Sequence, residues 1–281
     1  FDPIGHSSDQ FTGHFDGRSH IITDLSINRS SSDYVGLFGF VSGSTISNLG
    51  LVGGSISGKS FVGGLVGTHD GTITNSFVTS DVSGSNHVGG MVGYNLSGII
   101  QQSYATGSVT GENKTGGLVG SLVLGEVNNS FATGTVSGGG AGGLVGAVTS
   151  GIVTNSFYNT ETTGQSDTGK GTGLTTEEIQ SLSTFTDAGW DIDDEGGTGS
   201  VWRVYDGDTA PLLRSFLTPL STVLTPAYDG SGSAMNNIGA YEVPDGVDAD
   251  LILGMERGNT LTLTSTDADS YTASIDISGL Y

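Results

Sequence analysis

From residue 36 to residue 158 the chain repeats a pattern of 26 to 28 residues. A fixed period limits what a chain can fold into more than any other sequence feature. A Gly-Leu-hydrophobic-Gly signature recurs as Gly36-Leu37-Phe38-Gly39, Gly64-Leu65-Val66-Gly67, Gly90-Met91-Val92-Gly93, Gly117-Leu118-Val119-Gly120 and Gly143-Leu144-Val145-Gly146. Its closing glycines step by 28, 26, 27 and 26 residues. A second marker keeps the step: Asn48-Leu49, Asn75-Ser76-Phe77, Gln102-Ser103-Tyr104, Asn129-Ser130-Phe131 and Asn155-Ser156-Phe157. A third runs through Ile56-Ser57-Gly58, Val82-Ser83-Gly84, Val109-Thr110-Gly111 and Val136-Ser137-Gly138.

Each period holds three short β-favouring segments, too interrupted by glycine for helices, which need about 10 residues or more. They suit three strands of one solenoid coil. Stacked coils put equivalent residues about 4.8 Å apart and pair their backbone groups with the coils above and below. The expected fold class is therefore all-β: a right-handed parallel β-helix with three short strands per coil, then a C-terminal cap with one short helix and a small antiparallel β module. Stacking predicts an aromatic ladder of Phe77, Tyr104, Phe131 and Phe157, and an amide ladder of Asn75, Gln102, Asn129 and Asn155 hydrogen-bonded in register. Phe77 shares strand parity with Ile73, which points to the interior rather than to a sugar-stacking surface. The pairs Gly63-Gly64, Gly89-Gly90, Gly116-Gly117 and Gly142-Gly143 supply either positive φ or close backbone approach at a corner.

Composition closes off several classes. Hydrophobic residues make up 35% of 281, enough for a core. There are 49 glycines and 5 prolines without a collagen period, which implies frequent tight turns. A net charge of −21 repels nucleic acid and anionic membrane surfaces. Cysteine is absent, so packing and hydrogen bonds carry the stability. No apolar run approaches the roughly 18 residues of a membrane span. The start at Phe1, without a basic and then apolar leader, reads as a piece of something longer.

These repeats resemble the GLUG-motif repeats of filamentous-haemagglutinin-like large bacterial surface adhesins, over roughly residues 1 to 215. The segment Phe11-Thr12-Gly13-His14-Phe15-Asp16-Gly17-Arg18-Ser19-His20-Ile21-Ile22 is similar to that family's opening coil. Trp202 through Leu213, with Asp206-Gly207 and Pro211-Leu212-Leu213, is similar to its closing segment. The resemblance implies a β-helical domain in a long extracellular stalk or tip, often exported by two-partner secretion, with no shared catalytic residues. Tyr228-Asp229-Gly230 and Asp267-Ala268-Asp269-Ser270-Tyr271 resemble the Ig-like, YDG-type stalk modules that follow such β-helices.

The expected domains are residues 1–158 as β-helix, 159–216 as cap, and 217–281 as a small β-sandwich-like stalk module, an incomplete copy at about 65 residues. Residues 159–174 read as a Gly/Thr/Ser loop, and Thr175 with Glu178 as a capping box opening a helix to Leu182. That helix, with Trp190 and Trp202, would cover the exposed last coil. Residues 251–253 and 260–264 alternate as strands do. Acids outnumber bases 9 to 4 in residues 1–158 and 20 to 4 thereafter, so the acidity belongs to the cap and stalk.

Candidate chemistry is sparse. Asp191, Asp193, Asp194 and Glu195 place carboxylates before Gly196 as the first half of a calcium loop does, so Ca²⁺ is the one cofactor the sequence suggests. Trp202 stands where that loop needs glutamate, and a solvated acidic loop is the simpler account. The same holds for Asp245, Asp248 and Asp250. Gly164 through Lys170 mimics a phosphate loop, but Gly171 replaces its Ser or Thr. His6, His14, His20, His69 and His87 form no zinc motif, and no G-x-S-x-G elbow exists. Asp16, Arg18 and His20 are the best catalytic-looking group, with a turn at Asp16-Gly17 as the plainer reading.

The expectation is a non-catalytic structural and adhesive segment of a secreted adhesin on the bacterial cell surface, with a role in biofilm and in contact with surfaces, glycans or other cells. Its partner would be an extracellular glycan, matrix or cell-surface receptor. No nucleic acid, membrane insertion or oligomer is expected. The rivals are a carbohydrate-binding or calcium-dependent ligand module and, after it, a polysaccharide-degrading β-helix enzyme, which needs two facing carboxylates or a base with a cationic partner.

Overall fold

The computed structural model describes residues 1–166, 170–194, 199–217, 261–263 and 273–275. They fall into two compact units, Phe1–Trp190 and Asp191–Tyr281. The first is a parallel β-helix of about five turns, in which every strand pairs in parallel with a strand one turn away. One full turn contains the segments Val92–Asn95, Ile99–Gln101, Tyr104–Ala105 and Val109–Gly116.

Period becomes column. Phe38, Val66, Val92, Val119 and Val145 stack in register and are fully buried. Ile46, Ile73, Ile100 and Val127 form a second column, and Leu51, Val78, Ala105, Ala132 and Tyr158 a third. All of these join one apolar core. A smaller core runs beside it through Ile27, Ile56, Val82 and Val109, with Val35, Val62 and Val88 packed against them. Truncating any of the larger side chains would cost about 2–5 kcal/mol, because coils above and below cannot close the void.

Of the two roles open to the paired glycines, the structure selects close approach. None of Gly63, Gly64, Gly89 or Gly90 has positive φ. A Cβ on Gly89 would sit 2.1 Å from the Val92 carbonyl oxygen, and one on Gly90 2.2 Å from that of Gly117. The corner is too tight for a side chain.

The amide column has a backbone role instead of a side-chain one. Asn48, Asn75, Gln102, Asn129 and Asn155 all have positive φ, between 43° and 53°. Asparagine tolerates this left-handed conformation better than other residues bearing a Cβ. Among the described residues no hydrogen bond joins Asn75, Gln102, Asn129 and Asn155 to one another. The serine that follows makes the ladder. Ser76, Ser103, Ser130 and Ser156 are buried; each hydroxyl donates to the carbonyl two residues back and accepts the backbone N–H of the coil before.

Residues 159–174, read from sequence as a loop, hold more structure than that. Asn159 caps a helical turn, Thr160–Thr163, and Thr172–Leu174 adds a further parallel strand beside Phe157–Asn159. The capping box of Thr175 and Glu178 is present, but the helix it opens stops at Ile179. Ser181 is extended, and a second helix runs from Leu182 to Asp187. The single expected helix is thus broken in two.

In the second unit Ile192–Asp193 pairs in parallel with Trp202–Arg203, which pairs antiparallel with Leu212–Leu213. Trp202, Val204 and Leu213 are buried there, and the Arg203 guanidinium lies 4.7 Å from the Tyr205 ring centre. Leu261–Leu263 pairs antiparallel with Ala273–Ile275. Tyr228-Asp229-Gly230, residues 251–253, the Asp267–Tyr271 segment and Asp245, Asp248 and Asp250 lie outside the described residues.

Candidate functional site

A groove of about 580 Å³ runs along the solenoid between two columns of side chains. One wall is Tyr34, Phe61, His87 and Lys114, each flanked by residues paired in register with the next coil. The other is Phe40, Thr68, Tyr94, Ser121 and Ala147, also in register. Leu96, Val123 and Thr149 form the rim. The walls lie close because the signature's closing glycine packs on the opposite backbone: a Cβ on Gly93 would meet Val62 N at 2.4 Å, and one on Gly120 would meet the His87 carbonyl carbon at 2.6 Å.

The first wall is built on strained backbone. Tyr34, Phe61, His87 and Lys114 have φ of 61°, 57°, 52° and 54°. Gly140, next in the same column through the Gly116–Gly142 bridge, has φ of 62°. The left-handed region costs a residue with a Cβ roughly 1–2 kcal/mol, which glycine escapes. Such strain is a mark of functional surface when the strained side chains converge on one place.

The groove changes character along its length. At its aromatic end Tyr34 stacks on Phe61 at 5.1 Å, and Phe61 on His87 at 4.9 Å. Tyr94 stands at 89° to His87 and 76° to Phe61. Beyond Tyr94 the second wall carries only the small side chains of Ser121 and Ala147, opposite Lys114, and the channel is wider there. His87 Nδ1 lies 2.7 Å from Ser121 Oγ. Partial burial, then the charge of Lys114, holds the His87 pKa below the ordinary imidazole value. No Asp or Glu lines the groove, and among the described residues Lys114 makes no ion pair.

The residues singled out from sequence lie elsewhere. Phe77, Tyr104, Phe131 and Phe157 are buried and aligned, with Phe77–Tyr104 at 5.0 Å and Tyr104–Phe131 at 4.9 Å. The parity argument from Ile73 fails at Asn75, whose left-handed conformation breaks the strand alternation. Val78 joins the main apolar core and Phe77 takes the opposite face of its strand, but the ladder is buried there all the same, as interior rings and not a sugar-stacking surface. Phe185 and Trp190 pack on Phe157, and Trp190 Nε1 donates to the Asn155 carbonyl at 2.9 Å.

Asp191 accepts a hydrogen bond from Val201 N at 3.3 Å, Asp193 belongs to a short strand, and Asp194 follows it. Glu195 lies outside the described residues, and among those described no group of three or more side chains could hold a metal ion. Asp16 accepts from Asn48 Nδ2 and Arg18 N, both at 2.9 Å, which lowers its pKa; with Arg18 and Ser19 at positive φ it lies at a register shift inside the strand His14–Thr23, not at a turn. His69 is fully buried beside Asn95 Oδ1, at 3.1 Å from Nδ1, and burial pushes its pKa down to about 4.

A family profile described as the GLUG motif matches residues 84–110, a stretch that includes His87 and Tyr94. The chain carries the GLUG motif. Halomucin of Haloquadratum walsbyi is 41% identical to the GLUG-bearing chain over 86 residues, 29% of this chain and 1% of halomucin. A protein of Evansella cellulosilytica, provisionally named a Gly-rich membrane protein, is 37% identical over 79 residues, 27% of this chain and 9% of that protein. The chain therefore matches only a small part of either relative. A crystal structure from Bacteroides ovatus, of a protein provisionally named an immunoglobulin A1 protease, superimposes with a TM-score of 0.43 at 27% identity, covering 51% of this chain and 50% of that one. Superposition of that quality transfers neither fold nor activity.

Proposed function

We propose that this chain is a non-catalytic structural and adhesive segment of a secreted surface protein, a rigid β-helix whose faces contact glycans, matrix or other cells. The observation that carries the reading is the parallel stacking of equivalent residues from coil to coil, since a solenoid of this kind presents long regular surfaces and lengthens by adding coils. The relatives support such a context: the matched pieces are 1% and 9% of them, and one is named a membrane protein. Export to the cell surface and a filamentous-haemagglutinin-like parent with Ig-like stalk modules belong to the same proposal. Among the described residues no helix is long and apolar enough to cross a membrane.

The groove lacks the facing carboxylates of glycoside hydrolysis, which favours contact over turnover. It also favours a narrower second reading, a carbohydrate-binding module with one saturable site. Beads coated with the 281-residue chain and held under flow on glycan, matrix and cell surfaces test the main proposal. Saturable retention without release of reducing ends from soluble polysaccharide is expected. Retention no greater than that of bare beads, or turnover, contradicts it.

A further inference from the structure

The wider half of the groove combines three features that the fold alone does not require. Aromatic rings close one end, at His87 and Tyr94. A lysine without an ion pair among the described residues stands on one wall, and the hydroxyls of Ser121 and Thr149 stand on the other wall and the rim. Lys114 is kept in the left-handed conformation that Gly140 takes freely one coil later. An apolar concavity with a few convergent polar groups is how a ligand site is built.

Charge decides the ligand class. Residues 1–158 hold 9 acids against 4 bases, yet none of those acids lines the groove. No carboxylate stands inside the groove to offset its lysine, and charges more than about 8 Å from it are largely screened at physiological salt. An extended peptide would need an unpaired sheet edge to add a strand, whereas the groove is formed by strand faces. A polynucleotide would meet one lysine on a chain of net charge −21.

We propose that the open half of the groove binds a negatively charged sugar residue of a glycan, its ring against Tyr94 and His87, its acidic group at Lys114, and its hydroxyls at Ser121 and Thr149. This rests on the surface-contact reading and names the chemistry recognised.

Calorimetric titration of the intact chain with a uronate-bearing oligosaccharide, its sulfate-bearing counterpart and its carboxyl-reduced neutral analogue tests it, with an acidic peptide as a further arm. Both charged sugars should bind, and the neutral one at least tenfold more weakly. Lys114→Gln should weaken the charged sugars tenfold or more while Lys114→Arg restores them. Tyr94→Ala should weaken all three sugars, and Lys59→Gln, outside the groove, should change nothing. Equal binding of charged and neutral sugars, indifference to Lys114→Gln in a cooperatively folded variant, equal binding of the peptide, or no binding overturns the proposal. If coated beads are still retained on surfaces after such a result, the contact role survives and only the groove assignment falls; if retention is also absent, both fall.

Discussion

Two columns of rings run along the same solenoid with nearly the same spacing and almost nothing else in common. Phe77, Tyr104 and Phe131 stack at 4.9–5.0 Å with planes within 8°, buried, on strands. Tyr34, Phe61 and His87 stack at 4.9–5.1 Å with planes within 17°, half-buried, on left-handed backbone. The first column passes from Gly50 to Phe77 and then stays aromatic through Tyr104 and Phe131 into Phe157. The second passes from tyrosine through phenylalanine and histidine to lysine and then glycine. Stacking geometry is thus shared by both. What separates them is that the buried column stays aromatic over four successive coils, whereas the open one changes at every coil at a position where backbone energy alone would favour glycine.

Truncation should separate the columns most sharply. Phe131→Ala should cost about 3–5 kcal/mol in denaturant unfolding, because the ring is 1% exposed and neighbouring coils cannot fill its place. A cost near that of an exposed ring would mean that the ladder does not support the fold.

The histidines repeat the contrast between interior and groove. His69, fully buried, titrates at about 4 when folded, against about 6.5 unfolded. Between those values the unfolded chain binds more protons, so stability is complete above pH 6.5 and declines as pH falls toward 4, by about 3 kcal/mol in all. His69→Leu should flatten that part of the pH–stability curve; an unchanged slope would assign it to other groups.

Ser103→Ala asks whether the polar ladder beside the buried rings matters. It strips the acceptor from the buried Ser76 N–H and should cost about 1–3 kcal/mol. Phe61→Gly should leave stability within about 1 kcal/mol of wild type, since lost ring contact is offset by relief of the left-handed backbone. A large loss there would make the open column structural after all.

Much of the fold was legible because stacking turns packing requirements into sequence period. Leu65, Met91, Leu118 and Leu144 are alike because they fill equivalent places in one core. The serine ladder stands in the sequence as the middle residue of Asn-Ser-Phe, but serine carries no signal unless its burial is known. The amide column was recognised, but its purpose was not: a repeated Asn can mean side-chain pairing or left-handed backbone, and sequence does not separate the two. Asn86 and Asn113, which do pair at 3.1 Å, share no marker with that column. The groove is hidden in the sequence for the opposite reason. Tyr34, Phe61, His87 and Lys114 have no chemistry in common, only a place, each preceding a Val-Gly or Thr-Gly pair. The column shows in the sequence only when coils are aligned by position rather than by residue type.

Both columns, and everything inferred from comparing them, depend on residues one period apart lying directly over one another. The chain has no cysteine, so a cysteine pair reports on this without background. Thr110 and Ser137 are partners in adjacent coils with hydroxyls 3.1 Å apart on an exposed face, a separation that suits a disulfide. The double variant Thr110→Cys/Ser137→Cys should oxidise to an intramolecular disulfide in the native state, while Thr110→Cys paired with Leu124→Cys, half a period away, should remain reduced. Equal oxidation of both pairs, or of neither, would contradict the stacked solenoid.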